Sequence, residues 1–311
     1  MVLLVAKINK LYSKLENLHH GRSSSSSSSS EEANLSGSLE GFLSDVSNSL
    51  SKFSTSSKTT SFPWIHECLE LIPTANNAFA KLVVAIDHPA TKWEASSMEE
   101  YLNFTLVLLD LFNSISSSLS HLGHAKLSLS HGLNTLALKH LKPIDPISLN
   151  KELLRREKAR ERKEEEGKGG SCTSKEEVIH KGIMVMESLG FWVCGVVLSC
   201  LCGACDEMRK FGGGFVKDSI DELDSRAFSG VTSKLLIELK EVKEVNEAAD
   251  CLVAAIGDGG IGSGGEAEEL RRRLEVLEKG LEGFRKEVDC LFMEVLSARN
   301  QLLHGFRHIK E

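Results

Sequence analysis

The stretch SLGFWVCGVVLSCLCGAC, residues 188–205, contains no charged residue and lies between two long polar arms with helical patterns. As a helix, its eighteen residues would span about 27 Å, close to the hydrocarbon thickness of a bilayer. Two interpretations are open, a helix that crosses a membrane or a helix buried on all sides in a bundle. The rest of the chain has to be interpreted around this segment.

The composition favours an all-α protein. The 311 residues are 41% hydrophobic and 26% charged, as in an ordinary folded protein, whereas five prolines and 6% aromatic residues are typical of long helices with few turns. The sequence therefore predicts a bundle of long amphipathic helices with one very apolar central helix. A net charge of −7 argues against binding to nucleic acid, which needs a basic surface.

The chain begins with an amphipathic segment and a serine-rich linker. Residues 1–20 place leucines and isoleucine at helical spacing, which predicts an N-terminal helix that docks on the bundle or on a membrane. Residues 1–30 also contain four basic residues, one acid and many serines, which is typical of an organelle transit peptide. Residues 21–34, with eight consecutive serines, are predicted to be a disordered linker.

Residues 35–142 are predicted to form an N-terminal helical arm. We expect Pro73 to kink its second helix, Ser97 and Glu100 to form the capping box of the third, and Pro143 with Pro146 to end that helix. The apolar positions follow helical spacing in three stripes: Leu35, Leu39, Phe42, Val46, Leu50 and Phe53; Ile65, Cys68, Ile72, Ala75, Phe79, Leu82 and Ile86; Tyr101, Phe104, Leu108, Leu111, Ile115, Leu122, Ala125, Leu129 and Leu136.

The second half contains three further regions. Residues 143–174 form a charged helix and linker, residues 175–211 the apolar helix, which is also a candidate transmembrane helix, and residues 215–311 a C-terminal helical arm. We expect the helix from Glu266 to Leu303 to pack against the N-terminal arm of the same chain. The stripes of the C-terminal arm are Leu235, Leu239, Val242, Ala249, Val253 and Ile256, and Leu270, Leu274, Leu277, Leu281, Phe284, Val288, Leu291, Val295, Ala298 and Leu302.

Several residue patterns resemble sites without completing one. The glycines from Gly257 to Gly262 match G-x-G-x-x-G, but the preceding CLVAAI continues a helical stripe, so a loop is predicted instead of a dinucleotide site. The pairs His121 with His124 and His304 with His308 lack the acid of a zinc hydrolase motif. For the clustered cysteines, the alternatives are packing, S-acylation or a metal site: Cys194, Cys200, Cys202 and Cys205. We predict no catalytic, cofactor-binding or metal-binding residue, and no enzyme activity.

Three segments resemble the plant BYPASS family. They are the opening MVLLVAKINKLYSKLEN, the segment from Trp64 to Leu122 that begins WIHECLELIPTANNAFAKLVVAIDHPATKWEASSMEEYLNF, and the closing LEKGLEGFRKEVDCLFMEVLSARNQLL. The related ROH-type proteins, which bind an exocyst subunit, have the same order of helices, apolar segment and heptad-patterned C-terminal helix. The resemblance implies a non-enzymatic regulator of plant development that restrains production of a root-derived mobile signal, which otherwise arrests shoot growth.

The expected partners and location follow from these features. We expect protein partners bound through helical surfaces, with an exocyst subunit as one candidate, and a membrane association at the cytoplasmic face, as a peripheral or single-pass protein. Residues 151–181 contain ten Lys and Arg and residues 206–236 contain five, which would keep the preceding arm cytosolic. The alternatives are an exocyst-linked trafficking adaptor, a carrier or enzyme for a small apolar metabolite bound in the bundle, and a chloroplast location.

Overall fold

The computed structural model describes residues 28–56, 59–135, 174–202, 239–257 and 263–309. Every regular element in these ranges is a helix, which confirms the predicted all-α class. The helices are α1 Ser28–Ser56, α2 Phe62–Leu69, α3 Leu71–Ala85, α4 Ala95–Thr135, α5 Lys175–Cys202, α6 Lys240–Gly257 and α7 Ser263–Ile309, with a 3-10 turn at Ala90–Lys92 before α4.

The apolar segment forms the centre of the bundle. Helix α5 packs against α1, α2, α3 and α4, and 89% of its most apolar window is buried. Phe191 and Trp192 are each 1% exposed, and both belong to one continuous core with side chains from all seven helices. A helix that is surrounded in this way is expected to be apolar on every face. The predicted central apolar helix is therefore confirmed.

The long C-terminal helix α7 runs antiparallel to α4 and also packs on α6. The Lys126 Nζ atom lies 2.7 Å from a Glu278 carboxylate oxygen, and Arg299 near the other end of α7 donates to the Leu102 carbonyl oxygen. The stripe of α7 faces this interface, with Leu277 and Phe284 fully buried. Packing of this helix within its own chain was predicted and is confirmed.

A kink was predicted at Pro73, but the structure has a break between two helices at Glu70, three residues earlier. Helix α2 ends at Leu69 and α3 begins at Leu71, which puts Pro73 in the first turn of α3. A proline ring clashes with the carbonyl group four residues before it, and that residue is Leu69. The proline therefore divides one predicted helix into two.

Three other local predictions differ from the structure. Helix α4 begins at Ala95, so Ser97 and Glu100 lie inside the helix and do not form its capping box. Helix α1 begins at Ser28, so the last residues of the predicted linker are helical. Val253 is 53% exposed, because the buried face of α6 consists of other residues: Val242, Val245, Ala248, Ala249 and Leu252. A hydroxyl cap opens α5, where the Glu177 N–H donates to the Ser174 hydroxyl oxygen at 3.1 Å.

Some predictions concern residues outside the described ranges. They are the N-terminal helix, most of the serine-rich linker, Leu136, Pro143, Pro146, most of the charged helix and linker 143–174, Cys205 and the first part of the C-terminal arm, including Leu235.

Within the described ranges, two helices are long and apolar enough to cross a membrane by length and composition, α5 and the Ala95–Leu133 portion of α4. The sequence pattern had indicated only α5 as a candidate membrane helix. In the bundle, half of the apolar window of α4 is buried, compared with 89% for α5.

Candidate functional site

The cysteines of α5 lie in the core of the bundle and are buried. Cys194, Cys200 and Cys202 are all at most 9% exposed. Burial raises the pKa of the Cys194 thiol far above its usual range and that of Cys200 to about 12, so both stay protonated at neutral pH. An S-acylating enzyme could not reach these thiols in the folded bundle. No group of three or more potential ligands in the described ranges could hold a metal. Cys194, Cys200 and Cys202 are buried in the core, where they pack as small side chains.

The other patterns also lie apart from any convergent site. His121 and His124 are exposed on the outer face of α4. His304 and His308 lie in α7, where their side chains are outside the described set. The CLVAAI segment that precedes the glycine motif belongs to α6, and a dinucleotide site would need a strand there. Gly257 is the last residue of that helix, and the remaining glycines of the motif lie outside the described ranges.

The helices enclose a cleft that no local sequence pattern indicated. This four-helix cleft lies between α3, α4, α5 and α7, and it contains about 500 Å³ of empty space, including the part open to solvent. Its walls are mostly apolar, and the residues that line it are Ile72, Pro73, Asn76, Tyr101, Phe104, Thr105, Leu108, Met186, Leu291, Glu294, Val295 and Ala298.

A few polar groups reach the apolar wall of the cleft. Burial raises the pKa of the Tyr101 phenol well above its usual range, so the hydroxyl group remains a hydrogen-bond donor. The Thr105 hydroxyl donates to the Leu102 carbonyl oxygen at 2.9 Å and accepts from Arg299 at 3.2 Å. Asn76 and Glu294 are half-buried at the rim. Among the described residues that line the cleft, Glu294 is the only one with a formal charge.

Near the N-terminal end of α5, Glu176 holds the loop between α3 and α4. One carboxylate oxygen lies 2.7 Å from the His88 Nε2 atom, and the other accepts from the Glu94 N–H at 2.8 Å. Partial burial raises the pKa of Glu176, but hydrogen bonds from Ser97, His88 and the Glu94 backbone outweigh burial and lower it overall. The Ser97 hydroxyl on α4 therefore hydrogen-bonds to Glu176 on α5, although it does not cap the N-terminus of α4.

Two more histidine–glutamate pairs join helices that are distant in sequence. The His180 Nδ1 atom lies 2.6 Å from a Glu100 carboxylate oxygen, joining α5 to α4. His66 pairs with Glu287, joining α2 to α7. No local pattern identifies such partners, because each pair depends on how the helices are aligned in the bundle. The sequence did contain a signal for the position of Glu294. Leu291 and Val295, on either side of it, belong to the apolar stripe of α7, which indicates that Glu294 lies at the edge of a buried face.

Comparison with known proteins gives one informative similarity. The chain is 22% identical over 293 residues to Protein BPS1, chloroplastic, from Arabidopsis thaliana, and the alignment covers 86% of this chain and 83% of that protein. This similarity supports a distant relationship to the BYPASS family. No family model matches it, and no solved structure gives a significant match.

The BYPASS-like segments form most of the four-helix cleft. The segment from Trp64 to Leu122 supplies α2, α3 and most of α4, and the closing segment, residues 277–303, lies in α7. Every lining residue except Met186 belongs to one of these two segments. Two of the three segments that resemble the BYPASS family, Trp64–Leu122 and 277–303, therefore meet at this cleft.

Proposed function

We propose that the chain is a BYPASS-type regulator of plant development that acts as a non-enzymatic helical scaffold. The observation that carries this proposal is the similarity to Protein BPS1, which extends over most of both chains and is not restricted to one helix. A match of that extent is expected when the whole bundle, with its order of helices, is shared. The proposed role is to restrain production of a root-derived mobile signal, in line with the BYPASS resemblance.

The fold supports a scaffold because its outer faces are long and charged. Along α7, the exposed Arg271 and Arg272 pair with the acids one turn earlier, and such solvated faces are available to protein partners. An exocyst subunit, by analogy with the ROH-type proteins, is the partner proposed for the alternative location at the cytoplasmic face of a membrane.

We place the chain in the chloroplast, peripherally associated with a membrane. The relative is called chloroplastic, and residues 1–30 have the basic, serine-rich composition of a transit peptide. A fluorescent protein fused to residues 1–30 should then enter chloroplasts, whereas the same fusion with Lys7, Lys10, Lys14 and Arg22 changed to glutamate should stay in the cytosol. Cytosolic fluorescence from the first fusion would favour the cytoplasmic membrane face instead.

The direct test of the proposed function is complementation. The chain is expressed in Arabidopsis plants that lack Protein BPS1, and we expect shoot growth to recover. The control variant Gly182→Trp should fail, because the position faces the Phe79 ring at the centre of the bundle and has no room for a larger side chain. The exposed variant Glu282→Gln should work as well as the unchanged chain. No recovery with normally accumulated protein would contradict the proposal.

A further inference from the structure

An apolar groove that is open to solvent lies between α4 and α7, on the side away from the four-helix cleft. We call it the outer groove, and it is formed by Leu102 and Leu106 of α4 with Phe292, Leu296 and Leu303 of α7. Leu106 is 42% exposed and Leu303 is 37% exposed, and the other three are half-buried. An exposed apolar surface that continues over two helices is a typical docking site for another segment.

Contacts between the two helices fix the position of the outer groove. On α7, Arg285 donates to the Ser120 hydroxyl group and Arg299 donates to the Leu102 carbonyl oxygen. The face of α7 that carries both arginines therefore lies against α4. Phe292 is seven residues, or two helical turns, from each arginine, so it lies on the same face.

The rest of the outer groove lies on the solvent side of this contact. Leu296 and Leu303 each follow a residue of that face by four positions, so they lie beside it. Leu106 is one turn beyond Leu102 on α4. Phe104, on the side of α4 that lines the four-helix cleft, is buried, whereas Leu106 and Leu303 are exposed. The outer groove and the cleft are therefore separate surfaces.

Carboxylates border the outer groove. On α4, Glu99 and Asp110 are exposed on the face that carries the exposed groove leucine, and on α7 Glu282 and Asp289 are exposed at seven-residue spacing before the groove. Within the described ranges none of these four carboxylates forms an ion pair, and Lys286 offsets only part of their charge. A second copy of the chain or an anionic membrane would meet like charge here. The outer groove thus suits an amphipathic helix with basic residues.

We propose that residues 1–20 of the same chain dock in the outer groove as an amphipathic helix. Their apolar stripe consists of Leu4, Ile8, Leu11, Leu15 and Leu18, and the residues along one edge of that stripe are Lys7, Lys10 and Lys14. The stripe matches the apolar groove, and the lysines match its acidic border. The inference goes beyond the proposed function, and it holds for the chain as long as residues 1–20 remain attached.

The lengths of the two surfaces agree. As a helix, the stripe from Leu4 to Leu18 would extend about 21 Å, and the part of α7 from Asp289 to Leu303 is also about 21 Å long. Helix α1 begins at Ser28. The intervening residues 21–27 can bridge up to about 24 Å.

Helix α1 also begins at the right end of the bundle. The Phe42 ring lies 6.1 Å from the Phe79 ring, which stacks on Tyr101 at 6.4 Å, beside the outer groove. Farther along α1, Phe53 contacts Trp192 near the middle of α5. Since α5 starts beside the loop that precedes α4, the N-terminus of α1 points to the end of the bundle where α4 begins.

The experiment measures hydrogen exchange at the backbone amides of residues 1–20 in the full-length protein, by mass spectrometry. We expect these amides to be protected, and Leu106→Asp or Leu296→Asp should raise their exchange rates at least about tenfold. Val276→Asp introduces the same charge at a 43% exposed position of α7 outside the groove, and it should leave these rates unchanged. Circular dichroism confirms that each variant is folded.

Two further measurements leave the bundle itself unchanged or nearly so. The triple variant Lys7→Glu, Lys10→Glu and Lys14→Glu should also raise exchange in residues 1–20, because it places acids against the acidic border. A benzophenone side chain at Met293, 60% exposed at the rim of the groove, should cross-link to residues 1–20 of the same chain on illumination. The same group at Val253, 53% exposed on α6, should not.

Complete exchange of residues 1–20 in the unchanged protein would overturn the proposal. Protection that persists in both aspartate variants and in the lysine variant would also overturn it, because the segment would then dock elsewhere. Cross-links that join two chains would identify a second copy as the occupant of the groove. Protection that develops only after addition of anionic lipid vesicles would assign the segment to a membrane, and either result would contradict the proposal.

Discussion

Replacement of Gly182 by alanine tests how closely the central helix packs against α3. A Cβ atom at this position would lie 2.6 Å from the Phe79 Cε2 atom and 3.3 Å from a Leu82 methyl carbon. The first distance is about 0.8 Å short of ordinary van der Waals contact. The Phe79 ring is fully buried and packs against Phe42, Trp93 and Tyr101, with ring centroids 6.1–6.4 Å apart, so it has no free space to enter.

The expected loss of stability follows from two opposing effects. Overpacking a close-packed core costs about 1–3 kcal/mol, and alanine recovers up to about 1 kcal/mol over glycine in a helix interior. Gly182→Ala should therefore lower the free energy of unfolding by up to about 2 kcal/mol. Urea unfolding followed by circular dichroism at 222 nm measures this change as a lower transition midpoint with an unchanged slope.

Two other glycines provide matched controls for the same chemical change. At Gly190 a Cβ atom would lie 3.1 Å from the Phe104 ring, so the two effects should nearly cancel. At Gly41, on the exposed face of α1, a Cβ atom meets nothing within 4 Å, and alanine should stabilise the protein by about 0.5–1 kcal/mol. If Gly182→Ala were as stable as Gly41→Ala, the close approach of α5 to α3 would be refuted.

Three further predictions concern charge, the core and the thiols. Because the pKa of Glu176 is lowered in the folded state, its stabilising effect is complete above the carboxyl pKa of the unfolded chain, about 4.3, and is lost as the pH falls through the lower folded-state pKa. Glu176→Gln should therefore flatten the pH dependence of the urea midpoint in that acidic range. An unchanged pH profile would contradict the hydrogen bonds of Glu176 to the loop. Leu281→Asp should unfold the bundle, because a buried unpaired carboxylate costs several kcal/mol against a total stability of about 5–15 kcal/mol, whereas Val276→Asp at a position 43% exposed should remain helical by circular dichroism. An aromatic disulfide reagent, with the modified residues identified by peptide mapping, should modify the exposed Cys251 and Cys290 within minutes. It should modify the buried cysteines only in denaturant: Cys68, Cys194, Cys200 and Cys202. Rapid modification of these four in the folded protein would show that the core opens.

The sequence predicted best the helices whose apolar stripes are regular. In α7 each stripe position follows the last by three or four residues, and Leu270, Leu277 and Phe284 are indeed completely buried. The charge-free segment was also correctly predicted to be the central helix. Both results depend on local periodicity, which the sequence contains in full.

Features that depend on the alignment between helices could not be predicted. Ser97 has the spacing of a capping box with Glu100, but its hydroxyl group hydrogen-bonds to Glu176 on another helix. Val253 continues an apolar spacing, but α7 covers a different face of α6. The four-helix cleft is hidden for the same reason, because Ile72, Met186 and Leu291 come from three helices whose relative positions no local pattern defines.

The surroundings of α5 change how its hydrophobicity is interpreted. A transmembrane helix and a fully surrounded core helix have the same composition, so hydropathy alone does not distinguish them. Here α5 contacts α1, α2, α3 and α4, and two of its glycines lie where aromatic rings of α3 and α4 approach most closely. Those contacts would be lost if α5 entered a bilayer, and Ile65, Phe79 and Phe112, all fully buried, would be uncovered with it. Because that exposure is unfavourable in water, we expect alkaline carbonate to release the protein from membranes, and retention in the pellet would refute burial of α5 in the bundle.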